Sequence, residues 1–192
     1  GSGADGRSAA VVLVSALVMG AVGFHARGLR APRPSETARS FAFWPLFYAM
    51  WAALNAIFIG RDLFNLYVAL ELLTLAAVGM VAAGKVSAAL RYILFALMGS
   101  LAYLAGVALV YASVGTLDID LVSSGLATDR ATLLAGALMT AGLLAKTGLF
   151  PLHAWLPPAH GSAPAHASAL LSALVVKASF FVMARLWFDA TP

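Results

Sequence analysis

Long apolar runs separated by short polar stretches make up most of this sequence of 192 residues. A helix needs roughly 20 apolar residues to cross the hydrocarbon core of a bilayer, so each run is interpreted as a membrane span. The pattern predicts an all-α, polytopic transmembrane bundle of about six helices, labelled A to F. Their predicted bounds are Ala9–Phe24 (A), Phe41–Ile59 (B), Leu63–Ala83 (C), Ala88–Ser113 (D), a start near Ala131 (E), and Ala165–Phe188 (F).

The loops between these helices differ in charge, and the difference predicts their orientation. The stretch 25–40 after helix A is rich in arginine, and the 84–87 link between C and D is also basic, whereas 114–130 is mostly acidic. Basic loops remain in the cytoplasm. The A–B and C–D loops are therefore predicted to be cytoplasmic, with the chain start outside and helix F ending outside near Arg185.

The composition excludes several other classes of protein. The chain is 62% hydrophobic and 10% charged, whereas soluble domains are roughly 25% charged. The absence of cysteine excludes disulfides, thiolate metal sites and cysteine nucleophiles. The net charge of +4 is typical of topology signals or contact with anionic lipids, not of nucleic-acid binding. A cleavable signal peptide is not expected, because Asp5 and Arg7 are the charges before the first apolar run.

Three ionisable residues lie well inside the predicted spans: Glu71 in C, Lys146 in E and Lys177 in F. Each would cost about 2.5–3.5 kcal/mol at the centre of a membrane helix, so such residues are functional candidates by default. Two structural alternatives remain. A lysine or arginine near a helix end can reach the headgroups, which suits Lys85 and Arg185, and a Glu–Lys pair can simply hold two helices together.

Helix E is predicted to be discontinuous just after Lys146. Gly148 and Pro151 interrupt it, and a proline removes a backbone donor and clashes with the preceding turn. Broken helices form ion sites in transporters, because irregular backbone is tolerated in a membrane only inside protein or beside water. The alternative is that 131–150 is a complete span and 151–164 is a re-entrant or surface connector.

The histidines of this region suit proton transfer better than metal binding. His153, His160 and His166 lie among prolines that are expected to prevent a regular helical face, and no carboxylate lies nearby in sequence. Imidazole titrates near neutral pH, so a proton-relay role is favoured. Ser162 lacks the surroundings of a catalytic serine, so an intramembrane hydrolase is not favoured.

Helix D carries a series of small residues. Gly99, Ser100, Ala102 and Gly106 allow helices to approach closely, which is a structural interpretation. No role in transport is assigned to these four residues.

Three stretches together resemble the antiporter-like proton-translocating membrane subunits. They are "GRDLFNLYVALELL" (60–73), "KTGLFPLHAWLPPAHGSAP" (146–164) and "SALLSALVVKASFF" (168–181). That family includes large membrane subunits of respiratory complex I, Mrp-type sodium/proton antiporter subunits and membrane-bound hydrogenase subunits. The similarity runs in order from about Leu54 to Leu186.

The resemblance implies a fold of about fourteen helices built on two inverted five-helix repeats. Residues 41–192 match the first repeat, and 1–40 form an N-terminal segment with one span and a basic cytoplasmic loop. The sequence stops at Pro192, where the second repeat would begin. We therefore expect either a fragment or a partner chain that supplies the rest, and no complete transport by this chain alone.

The resemblance also implies the site residues. Glu71 matches the essential glutamate, Lys146 the lysine of the broken helix, and Lys177 the lysine of the following helix. His160 is the best match to a histidine between them, and His153 is a further relay candidate. By resemblance, the repeat forms a cytoplasmic half-channel in which separation of Glu71 from protonated Lys146 moves a proton towards Lys177.

The function expected from the sequence is proton translocation or sodium/proton antiport within a multi-subunit complex of the bacterial inner membrane. The expected partners are other membrane subunits, lipid, protons and Na⁺. Neither a cofactor nor a metal is expected, and the driving reaction of an NADH:quinone oxidoreductase-like or hydrogenase-like pump would lie in other subunits. The alternative is a structural membrane subunit without transport activity.

Overall fold

The computed structural model describes residues 6–29, 38–125 and 130–190, and these ranges are predominantly helical. The α-helices are α1 Gly6–Leu29, α2 Ala38–Ile59, α3 Leu63–Ala82, α4 Val86–Val114, α5 Ile119–Gly125, α6 Arg130–Thr147, α7 Leu156–Ser162, α8 Ala165–Leu170 and α9 Val176–Arg185. Short π-helical segments, Leu171–Val175 and Leu186–Ala190, continue α8 into α9 and extend α9.

Five helices of the described part are long and apolar enough to span a membrane. They cover Gly6–Gly28, Ala42–Ile59, Leu63–Ala82, Val86–Val114 and Ala165–Asp189. The sixth predicted helix, E, is the discontinuous one, made of α6 and α7 with an irregular segment between them. The predicted all-α membrane bundle is therefore confirmed.

Several elements differ from the sequence-based expectation. The first helix is longer than predicted, and α5 forms inside the acidic loop 114–130, where no helix was predicted. The three histidines do not share one helical face, because His153 lies outside a helix, His160 lies in α7 and His166 in α8. Pro157 and Pro158 fall in the first turn of α7, where a missing backbone N–H costs no intrahelical bond.

At one end of the bundle, the α2–α3 turn and the α4–α5 link are joined by backbone hydrogen bonds. Leu63 N–H donates to the Leu117 carbonyl and Ile119 N–H to the Arg61 carbonyl, both at 2.9 Å. The side chain of Arg61 also forms an ion pair with Asp120. The two links therefore lie at the same end, as alternating spans require.

Arg185 lies at this same end and does not reach outward. Its side chain is buried, its guanidinium donates to the Gly60 carbonyl, and it lies 3.6 Å from the Asp189 carboxylate. Arg7 of α1 contacts the other oxygen of Asp189 at 3.0 Å. The headgroup-reaching alternative for Arg185 was wrong, because the polar end of α2 offers the guanidinium an acceptor inside the bundle.

Helices α4 and α6 pack backbone against backbone through glycines. A Cβ atom on Gly142 would lie 2.3 Å from the Gly99 carbonyl oxygen, and one on Gly106 would lie 2.6 Å from the Ala135 carbonyl oxygen. Small residues permit this close approach in membrane helices. The contact sets the position of α6, and therefore of Lys146 near its end.

We predict that Gly142→Ala destabilises the protein by about 1–3 kcal/mol, the usual cost of overpacking. Gly136→Ala is the matched control, because it lies on the same helix and its Cβ would meet open space. The control should be neutral or gain up to about 1 kcal/mol in helix propensity. The free energy of unfolding in detergent measures both variants, and equal stability of the two would contradict the packing assignment.

Candidate functional site: a buried ion pair beside a helix break

The most buried charged contact of the site joins α6 to α3. Lys146 Nζ lies 2.8 Å from Glu71 Oε1, and the two side chains are 4% and 20% exposed. Both residues were functional candidates from the sequence, and the structure places them in direct contact. A buried pair is tolerated when each charge also has hydrogen-bonding partners, because both ions have lost water.

Two hydroxyl groups supply those further partners. Lys146 Nζ donates to Thr74 Oγ1 at 3.0 Å, and Ser100 Oγ makes a hydrogen bond with Glu71 Oε1. Neither residue was assigned to the site from the sequence. Thr74 could have been found, because it lies three positions after Glu71 on the same face of α3. Ser100 carried no such signal, since its residue type is equally suited to helix packing.

The end of α6 places the ammonium in a favourable backbone environment. Gly148 adopts φ +68°, and its N–H donates to the Ala145 carbonyl at 3.3 Å while Leu149 N–H donates to the Leu144 carbonyl at 3.4 Å. This pattern is a Schellman helix end, which requires a glycine in the left-handed region. Lys146 therefore lies in the last turn, where the carbonyl ends of the helix favour a positive charge.

Trp155 secures the chain that follows the break. Its ring is fully buried, its Nε1–H donates to the Ala145 carbonyl at 3.0 Å, and it stacks on Tyr92 with ring centroids 4.3 Å apart. Thr147 Oγ1 donates to the Leu143 carbonyl at 2.7 Å. Two carbonyls freed at the break, those of Leu144 and Ala145, are thus hydrogen-bonded within the protein, which favours such an irregular segment at membrane depth.

The position of the break favours the discontinuous-helix interpretation over a surface connector. Lys146, next to the end of α6, meets Glu71 near the middle of α3. The chain then continues to α7, whose last residue, Ser162, lies beside the α3–α4 link. A Cβ atom on Gly84 of that link would lie 1.8 Å from the Ser162 carbonyl oxygen. The two halves, α6 and α7, together reach from one end of the bundle to the other.

A small cavity of about 10 Å³ adjoins the ammonium. It is lined by Leu70, Leu73, Thr74, Tyr92, Ala96, Lys146, Val175 and Ser179. This is about the volume that one buried water molecule needs, and three of the lining side chains carry a hydroxyl. An ammonium has three hydrogens, so a water here could accept the one not directed at Glu71 or Thr74.

The histidines lie in different surroundings. His160 on α7 is half-buried, with Nδ1 2.9 Å from Ser168 Oγ. The charge of Lys177 also acts electrostatically on His160. His153 is exposed beside Phe150, and the ring of His166 packs edge-on against Phe43 at 4.6 Å. His160 therefore has both a polar partner, Ser168, and an electrostatic link to Lys177.

Lys177 does not join the buried pair. Its side chain is exposed at the surface of this chain, and its ammonium donates to the Ser172 carbonyl, inside the π-helical segment. The sequence placed Lys177 halfway along a span but could not give the direction of its side chain. The predicted relay is thus divided into a buried part, Glu71 and Lys146, and a surface part, Lys177.

Comparison with known proteins supports a common fold and family. Residues 60–191 match the family model described as NADH:quinone oxidoreductase/Mrp antiporter, TM. The chain is 39% identical over 95 residues to the D-type subunit of a probable K⁺/H⁺ antiporter of Rhizobium meliloti (strain 1021), covering 47% of this chain and 17% of that protein. It is 35% identical over 112 residues to the N-type subunit of the NADH-quinone oxidoreductase of Desulforudis audaxviator (strain MP104C), covering 57% and 22%.

A solved structure with the same arrangement comes from an archaeal respiratory membrane complex, the membrane-bound sulfane sulfur reductase. The TM-score is 0.81 at 29% identity, over 94% of this chain and 39% of the other. The chain therefore spans less than half the length of each of these relatives.

We predict strong energetic coupling between Glu71 and Lys146. Glu71→Ala and Lys146→Ala should each lower the free energy of unfolding by roughly 3–5 kcal/mol, because each leaves an unpaired buried charge. The double variant should lose clearly less than the sum of the two. Denaturant unfolding in detergent measures this cycle, with the exposed Lys85→Ala as control. Additive losses would show that the two charges do not interact.

Proposed function

The chain belongs to the NADH:quinone oxidoreductase/Mrp antiporter family of transmembrane proteins, and from this premise we propose that it is a proton-translocating subunit. In this proposal it provides the cytoplasmic half-channel of a larger membrane assembly. The observation that carries the proposal is the buried Lys146–Glu71 ion pair at the end of an interrupted helix. Intramembrane charges of this kind belong to ion pathways more often than to packing.

The pair can store a proton and release it. While Lys146 is protonated, Glu71 and Thr74 both accept hydrogens from its ammonium, and the carboxylate balances its charge. Moving the carboxylate away would leave a positive charge buried among apolar side chains, which disfavours the protonated form. The proton would then leave through the adjacent cavity, whose hydroxyl groups can hold a water molecule.

His160 and Lys177 are proposed as the next stations. His160 is half-buried and electrostatically linked to Lys177, and a neutral ring can both accept and donate a proton. Lys177 lies on the surface of this chain, so its part in the path requires an element that packs against that face. In this proposal, the remaining part of the family fold or a partner subunit supplies that element.

The wider assignment follows from the relatives. Two of them are subunits of antiporter or quinone oxidoreductase systems by name. We therefore propose other membrane subunits as partners, a bacterial inner membrane as location, and proton transport with or without exchange for Na⁺. No redox chemistry is assigned to the residues of this chain.

The competing function is a structural subunit in which the ion pair only holds α3 against α6. The observation that favours it is the limited access of water to the lysine, since Lys146 is 4% exposed and the adjoining cavity has room for about one water. The two functions differ in whether transport depends on these charges.

We predict that Glu71→Gln and Lys146→Met lower proton flux through the assembled complex in proteoliposomes by about tenfold or more, since each removes a proton-carrying group. Glu71→Gln keeps the shape of the side chain, and Lys146→Met keeps an unbranched chain that is one atom shorter. The control is Lys85→Met, which removes an exposed lysine at the start of α4 and should transport like the wild type. Undiminished flux in both site variants, with normal assembly, would favour the structural function.

We predict a contrast between two histidines of the irregular region. His160→Gln should slow proton flux severalfold, because it removes a half-buried imidazole that is hydrogen-bonded to Ser168 and interacts electrostatically with Lys177. His153→Gln alters an exposed ring and should have little effect. The same flux assay compares the two, and a larger loss in the His153 variant would reverse our assignment of the relay histidine.

A further inference from the structure

The hydroxyl of Ser100 has two acceptors and one hydrogen. Its Oγ is in hydrogen-bond contact with Glu71 Oε1 and lies 2.8 Å from the Ala96 carbonyl oxygen. The side chain is 1% exposed, so bulk water does not compete for it. A serine hydroxyl donates to one acceptor at a time. Ser100 can therefore occupy two distinct hydrogen-bonded states without any movement of the backbone.

Thr74, the other hydroxyl of the site, has a single state while Lys146 is protonated. Its Oγ1 donates to the Leu70 carbonyl at 2.8 Å and accepts from Lys146 Nζ at 3.0 Å. An ammonium can only donate. The hydroxyl of Thr74 therefore accepts from Lys146 and must direct its own hydrogen at the Leu70 carbonyl. The two hydroxyls thus differ: one is fixed by the lysine, and the other is free to follow the charge of the glutamate.

We propose that Ser100 is a positioning residue for Glu71, whose hydroxyl turns with the protonation state of the carboxylate. When Glu71 is ionised, Ser100 donates to Oε1. When Glu71 is protonated, its own O–H donates to Ser100 Oγ, and Ser100 donates to the Ala96 carbonyl. That carbonyl lies one helical turn before Ser100, so it keeps its backbone bond in either state. The proposal rests on the proposed function, in which Glu71 takes part in proton transfer.

The effect of Ser100 on Glu71 follows from the relative strengths of its two hydrogen bonds, one to the Glu71 carboxylate and one to the Ala96 carbonyl. A hydrogen bond to an ionised carboxylate is stronger than one to a neutral carbonyl, so Ser100 stabilises the ionised form of Glu71. Other groups also face this carboxylate. They are Lys146 from α6, Tyr92 from α4, and Tyr67 one turn earlier on α3. Substitution at Ser100 leaves all three in place, which isolates the contribution of the hydroxyl.

The test is the pH dependence of proton flux in proteoliposomes of the assembled complex. Ser100→Ala removes a hydrogen-bond donor from the Glu71 carboxylate, so the pH profile of flux for this variant should differ from that of the wild type by about one pH unit. Ser100→Thr keeps the hydroxyl and should restore the profile. The matched control is Ser113→Ala, because Ser113 lies on the same helix and makes the same type of bond, to the Leu109 carbonyl, away from Glu71.

A second readout follows the carboxyl group directly. In pH-induced infrared difference spectra of the same complex, the protonated-carboxyl band that disappears in Glu71→Gln is assigned to Glu71. That band should shift in Ser100→Ala, which removes the hydroxyl acceptor, and should be unchanged in Ser113→Ala. If Ser100→Thr assembles poorly, the position of the Glu71 carboxyl band in Ser100→Ala can still be compared with its position in Ser113→Ala. That comparison alone tests whether the Ser100 hydroxyl contacts Glu71.

The outcomes separate this proposal from the proposed function. If Glu71→Gln abolishes flux but Ser100→Ala leaves both profile and band as in the wild type, the role of Ser100 is overturned and transport stands. If Glu71→Gln transports normally, the proposed function fails, whatever the infrared band shows. If Ser113→Ala shifts the profile as much as Ser100→Ala, the effect comes from the helix and not from Glu71, and the proposal is also overturned.

Discussion

The ion pair between Lys146 and Glu71 is the contact on which the other features of the site depend. Two charges held near the middle of a helix bundle are stable only together and only with further hydrogen bonds. Thr74 and Ser100 provide those bonds, one on each side of the pair. The end of α6 next to Lys146 adds backbone carbonyls that favour the ammonium. The same requirement couples the two residues, because neutralising one charge makes the other charge less favourable in the buried site.

Local backbone chemistry determines where this pair can form. Gly142 and Gly99 let α6 approach α4 at backbone distance, and Gly148 ends α6 directly after Lys146 and Thr147. Trp155 then closes the break by donating to the Ala145 carbonyl. A helix that continued past Lys146 would have no free carbonyl ends there, and the ammonium would lose that part of its environment. The irregular segment after α6 thus contributes directly to the environment of Lys146.

Much of the fold could be predicted from the sequence, because each span carries its own hydropathy signal, and Glu71 and Lys146 were evident as charges in apolar runs. Their contact could not be predicted, since the two residues lie 75 positions apart in the sequence and on different helices. The outward direction of Lys177 depends on the rotation of its helix, which the π-helical segment before it alters. Ser100 could not be distinguished from a packing residue, because its function depends on a neighbour from another helix.

The central claim is that Lys146 is held as an ammonium by Glu71 inside the bundle. The sequence contains two glutamates, Glu36 and Glu71, and three lysines, Lys85, Lys146 and Lys177, so selective isotope labelling can resolve the pair. The direct measurement is the solid-state NMR dipolar coupling between the ¹⁵Nζ of Lys146 and the side-chain ¹³C carboxyl of Glu71 in lipid. We predict a strong coupling from a charged lysine nitrogen, consistent with the 2.8 Å contact. A Lys146 signal with no coupling to Glu71 would contradict the account.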